Sequence, residues 1–235
     1  MNGYLPWLSI ATGSIELVLA LWAVSRTRHE SADAPSKKHF LYTIAAMLMV
    51  LAGYQFAEAW VCANPDAVIR ARIAFIDVTW LPPIGLFLVM QLRDNHRRVT
   101  TVLFRIYLVC AVAFTIYLAG ASDFVATTVC ATIFATYQHG TPIHHLYGVY
   151  YYVGLSAIIV GAAYSLVSTP STIHRAHLAD IQIGILGFMI PAFITQIIWK
   201  SLDLSIPSIM CHYAIITAVM LARMIHRSTS SSASK

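Results

Sequence analysis

The sequence predicts an all-α membrane protein: a seven-transmembrane helix bundle with a short extracytoplasmic β-hairpin between helices four and five. Three observations predict it. Of 235 residues, 58% are hydrophobic and only 11% charged, whereas soluble domains carry about 25% charged residues. Apolar runs long enough to cross hydrocarbon, roughly 20 residues, recur along the whole chain. Lys and Arg are concentrated in alternate loops, as expected where loops sort by membrane side. The mean hydropathy is +0.70.

The seven spans read as Tyr4–Val24, Phe40–Cys62, Arg72–Leu92, Val102–Gly120, His145–Val167, Leu178–Trp199 and Ser205–Ile225. Only helices and closed barrels satisfy every backbone group in lipid, and these runs are too continuous for barrel strands. The first run is a retained helix and not a cleaved signal, because its first basic residue, Arg26, follows the apolar stretch instead of preceding it. Pro82 and Pro83 interrupt span three and Pro191 interrupts span six. Each removes a backbone donor, so kinks are expected there, with Gly85 and Gly187 adding freedom, and these prolines are the expected hinges. Between spans four and five, Phe124–Tyr137 is rich in Val, Thr, Ile and Phe, which suits a hairpin over the outer mouth. Residues 1–227 form the membrane domain, and the Ser-rich stretch Ser228–Lys235 is expected to be a disordered cytoplasmic tail.

Orientation follows from the basic residues. Twelve of the fifteen Lys and Arg fall on the side of loops one, three and five and the C-terminus; Arg70, Arg72 and Lys200 fall opposite. That puts the N-terminus outside the plasma (inner) membrane and the C-terminus in the cytoplasm. The net charge of +5 is therefore topogenic, and no nucleic-acid partner is expected. Cys62, Cys130 and Cys211 lie on the outer, oxidising side, where Cys130 has either of the other two as a partner for a disulfide. Cys110 is mid-span packing.

Ionisable groups inside spans are costly and mark function. Glu16 sits about 18 Å along span one, near the midplane, on a face with Ser9, Thr12 and Gly13. Glu58, Asp77, Tyr147, Tyr151, Gln196 and His212 approach the outer half from five spans. Together they suggest a polar, aromatic-lined ligand pocket open to the outside. The competing expectation is that such residues pair among themselves, Asp77 with Arg70 and Glu58 with Lys200, and hold a closed bundle. No cofactor is expected. Lys200 is at the outer end of span six, too shallow for a retinal Schiff base, and only one His lies well inside a span, too few for haem. His144 and His145 are adjacent, so their rings diverge, and no metal is expected.

Several motifs carry a resemblance. They are Trp80-Leu81-Pro82-Pro83-Ile84-Gly85-Leu86-Phe87 in span three and Gly140-Thr141-Pro142-Ile143-His144-His145-Leu146-Tyr147, running on to Tyr152, at the entry to span five. To these are added Gly187-Phe188-Met189-Ile190-Pro191 in span six, and Asp203 before Pro207 at the start of span seven. This layout resembles the seven-transmembrane N-terminal sensor region of bacterial histidine kinases. The resemblance implies sensing of a ligand and a cytoplasmic output. Here His226–Lys235 is all that follows span seven, so a cytoplasmic or membrane output protein is expected to supply the outlet. The leading expectation is a stand-alone receptor-like module for a small extracytoplasmic molecule. The alternatives are a small-solute transporter, with Glu16 as coupling carboxylate, and an accessory subunit of a membrane complex. An enzyme is the least supported class.

Overall fold

The computed structural model describes residues 5–29, 35–64, 68–93, 98–121, 123–130, 135–139, 142–198 and 206–230; within these, the side chains of 29, 98, 136, 138, 139, 195–198, 206–212 and 230 lie outside the description. Helices α1 (Pro6–His29), α2 (Pro35–Ala63), α3 (Val68–Val78), α4 (Leu81–Gln91) and α5 (Arg98–Gly120) come first. Strands β1 (Val125–Cys130) and β2 (Ala135–His139) and helices α6 (Ile143–Ser168), α7 (Thr172–Ile198) and α8 (Ile206–Ser230) follow. Among the described residues, six helical stretches are long and apolar enough to cross a membrane, α3 and α4 counting together as one.

Local chemistry sets several boundaries. Pro6 and Pro35 open α1 and α2 at the first helical position, where the missing N–H has no intrahelical partner to lose. Thr169 ends α6 in an extended conformation because it precedes Pro170. Ser171 then caps α7, its Oγ accepting from the His174 backbone N–H at 3.3 Å. Helices α2, α7 and α8 outrun the apolar spans at the basic end, since backbone bonding continues past the hydrocarbon until a breaker intervenes. For the same reason α8 continues through Ser230, and the first three residues of the expected tail are helical; residues 231–235 lie outside the description.

The faces are inverted relative to a soluble bundle. Helix α1 turns Ser9, Thr12, Glu16, Ala20 and Ala23 inward and exposes Trp7, Ile10, Ile15, Val18 and Leu21. On α5 the exposed row is Val102, Ile106, Val109, Val112 and Ile116, and on α6 it is Leu146, Val149, Val153 and Val160. Exposed aliphatic rows of this extent need an apolar surrounding, and together with the helix lengths they are consistent with a multi-pass membrane protein. Helix α2 is the hub, packing against α1, α3, α4 and α8, while α5 is peripheral. Close approach is set by glycine. A Cβ on Gly154 would fall 2.6 Å from Pro82, and one on Gly85 would collide with Ile158, so α4 and α6 meet backbone to side chain.

Strands β1 and β2 pair antiparallel, Thr128 opposite Tyr137 and Cys130 opposite Ala135. They pack against the ends of α2, α3 and α8. Cys130 is bonded to Cys62 at the end of α2, with 5.7 Å between Cα atoms, so the open choice of partner falls to Cys62.

Candidate functional site

The site begins with a backbone fault. Helix α3 stops at Val78 and α4 starts at Leu81. Pro82 and Pro83 occupy the first turn of α4, where donors are dispensable, but they deny N–H groups to the carbonyls four residues earlier, those of Val78 and Thr79. Helix α6 repairs the second loss: the Tyr150 hydroxyl donates to the Thr79 carbonyl at 2.7 Å. One turn away the Tyr147 hydroxyl donates to the Phe75 carbonyl at 3.1 Å, which also accepts from Thr79 Oγ1 at 2.6 Å. Both tyrosines are buried. Their spacing, with His144 and Leu155, puts them on the inward stripe of α6.

Around this repair lies a cluster of rings. Phe75 has Phe124, Tyr137, His144 and Tyr147 edge-on, with centroids between 5.0 and 5.6 Å. Tyr151 stacks on Tyr147 at 6.4 Å, nearly parallel. Phe124 precedes β1 and Tyr137 lies in β2, so the paired strands are tied down twice, by Cys130 and by aromatic edges.

Beside the cluster the interior is acidic. Glu58 is fully buried and accepts from Ser9 Oγ at 3.4 Å. Gln55, one turn inward, is also fully buried. Asp77 leans on α2 over Gly53, where a Cβ would lie 2.7 Å from Asp77 Oδ1; its Oδ2 is buried with no hydrogen bond. Gly53 and Glu58 are about 7.5 Å apart along α2 and about 140° apart around it, so the two carboxylates lie on different faces of α2, Glu58 toward Ser9 of α1 and Asp77 reaching across from α3. Glu16 lies about 10 Å deeper than Ser9 along α1. It is fully buried, and neither carboxylate oxygen has a hydrogen-bond partner.

Of the ion pairs in the competing expectation, Asp77 with Arg70 is not formed among the described residues. Arg70 donates instead to the Trp60 carbonyl at 2.8 Å and stacks over the Trp60 ring. Arg72 closes the end of α5 through the carbonyls of Leu118 and Ala119, a position where a cation also suits the helix dipole. Lys200, and the side chains of Gln196 and His212, lie outside the described residues. Of the expected ligand residues, then, Tyr147 and Tyr151 share one ring stack, while Glu58 and Asp77 lie on different faces of α2, one toward α1 and the other from α3. Pro191 sits inside α7, which remains helical on both sides of it.

Sequence reading missed a second polar centre, at the opposite end of the bundle. Asp180 on α7 is buried and receives Arg227 of α8 at 2.5 Å and Arg223 at 3.8 Å. His177, one turn before it, is buried against Phe40. The signal was present: an apolar helix carrying His177 and Asp180 three apart faces a helix carrying Arg223 and Arg227 four apart. No protein-family model matches the chain, and comparison with curated proteins finds no match.

Proposed function

We propose that the chain is a seven-span receptor-like module of the plasma membrane that binds a small extracytoplasmic ligand and passes a helix shift to an output. In this reading α8 is the seventh span, the hairpin is an outer cap and the Asp180 end is cytoplasmic. The distribution of Lys and Arg supports that orientation. So does the Cys62–Cys130 bond, which belongs to an oxidising compartment. The resemblance to the sensor regions of histidine kinases supports the sensing role. The observation that carries the reading is the cap itself. A hairpin held by a disulfide and a ring cluster packs on the ends of α2 and α3, the two helices that carry Glu58 and Asp77. Glu58, Asp77, Tyr147, Tyr151, Gln196 and His212 are the proposed ligand contacts, and Pro82, Pro83 and Pro191 the joints.

Native mass spectrometry of the protein from its own membranes tests this. A retained small molecule that is lost in Asp77→Asn and Glu58→Gln, with melting temperature nearly unchanged, is the expected result. A large melting drop in both variants, with no retained molecule in the parent, would favour the closed bundle. A second reading, a solute transporter, is favoured by Glu16 alone. An anionic carboxylate without a partner is costly in that position unless a cation arrives, as coupling requires. Solute uptake into proteoliposomes that Glu16→Gln abolishes would select it.

A further inference from the structure

We propose that the cleft between α5 and α6, at the end of the bundle away from the hairpin, binds one anionic phospholipid, with its phosphate on Arg93 and one acyl chain along the cleft. Helices α5 and α6 follow each other around the hairpin yet touch only sparsely. They leave a cavity of about 510 Å³ whose walls include Leu103, Val153, Ala157 and Gly161. The cavity opens sideways between Val99, Val153 and Val160, which are 76%, 54% and 67% exposed, so it faces the same apolar surround as the aliphatic rows. Its length matches a lipid chain. From Tyr164 to Val153 is about 16 Å along α6, close to half of a hydrocarbon core of about 30 Å. A partner helix would need a groove running the full span; this one ends after a single leaflet.

The mouth supplies the charge. Arg93 donates to Thr100 Oγ1 at 3.0 Å and lies over the Tyr164 ring at 5.4 Å. Among the described residues no carboxylate pairs with it. Those two contacts hold the guanidinium at the rim while leaving further N–H groups of its fork for a phosphate diester. A basic group between helices at the headgroup level is what recognition of an anionic lipid requires. Gly161 offers a clean probe, because a Cβ there meets only Val89, at an ordinary 3.7 Å. A side chain at that position starts from a wall of the cleft and is expected to reduce the space for an acyl chain.

The test is native mass spectrometry of the full chain in mild detergent, with phosphatidylglycerol and phosphatidylcholine of identical chains. One phosphatidylglycerol is expected to be retained in preference. Arg93→Gln should weaken it by about tenfold or more, as for the loss of a charge-assisted contact. Gly161→Leu should weaken both lipids with the melting temperature preserved. Equal retention of the two lipids would overturn the proposal, as would retention unchanged in both variants. Displacement by free glycerol phosphate would show a phosphate site without a lipid, and would overturn it too.

Discussion

At the scale of the residue, hydrogen-bond accounting decides which side chains matter. The Thr79 carbonyl has lost its helical donor to Pro83, and the Tyr150 hydroxyl replaces it. Tyr150→Phe leaves that carbonyl unsatisfied in the interior, at an expected cost of about 1–3 kcal/mol. Tyr147→Phe should cost less, because the Phe75 carbonyl keeps two partners, the Thr79 N–H at 3.1 Å and Thr79 Oγ1 at 2.6 Å. Thermal melts followed by intrinsic fluorescence rank the two; the reverse order would remove the repair role of Tyr150. Asp180 offers a second contrast. It is buried while its arginines reach solvent or headgroups, with side-chain exposures of 31% for Arg227 and 53% for Arg223. Losing Asp180 in Asp180→Ala removes the close charge-assisted bond to Arg227 and should cost about 1–3 kcal/mol. Losing the distant, exposed partner in Arg223→Ala should cost about 0–1 kcal/mol. Equal effects would mean that Arg223 is as firmly held as Arg227.

At the scale of the element, the α3–α4 break and its contact with α6 form one device. Two prolines end the helix, Gly154 lets α6 approach Pro82, and Tyr150 from α6 rebonds the Thr79 carbonyl while Tyr147 adds a bond to the Phe75 carbonyl. Gly154→Val should therefore push α6 away from both Pro82 and Tyr107, at about 1–3 kcal/mol. Gly148→Ala on the same helix, where a Cβ meets nothing within 4 Å, should be neutral or slightly stabilising. Paired melts of the two variants check this. Equal stability would mean that the α4–α6 contact yields without cost. If the joint moves during signalling, its motion has to break the tyrosine bonds, so the hinge and the repair are tested together by ligand response in Tyr150→Phe.

At the scale of the whole molecule, a bilayer explains why large aliphatic residues face out and carboxylates face in. The two ends differ: one carries the paired strands, the disulfide and the ring cluster, the other the buried Asp180 pair and most of the Lys and Arg. The proposed topology is checked with a membrane-impermeant thiol reagent on intact cells. Asp123→Cys should be labelled directly, and Ser171→Cys only after permeabilisation. The opposite pattern would invert the orientation and with it the proposed side of the ligand site.

Hydrophobicity and proline position are local properties, and the sequence alone carries them. From them come the membrane-length helices, the interruption at Pro82–Pro83 and the inward stripe of Glu16, Ser9 and Thr12. The side on which each loop lies was legible as an expectation, because charge sorting acts on loops one by one. Partner choice was not legible. In the closed-bundle alternative Arg70 paired with Asp77, on its own face two turns away, but it bonds the Trp60 carbonyl at the end of α2. Cys130 had two candidate partners until the hairpin was docked on α2. Asp180 and its arginines lie 43 and 47 residues apart in the chain, so only the packing of α7 on α8 joins them. Such contacts depend on helix rotation and loop closure, which periodicity constrains for one helix at a time. Only the assembled bundle decides which inward faces meet.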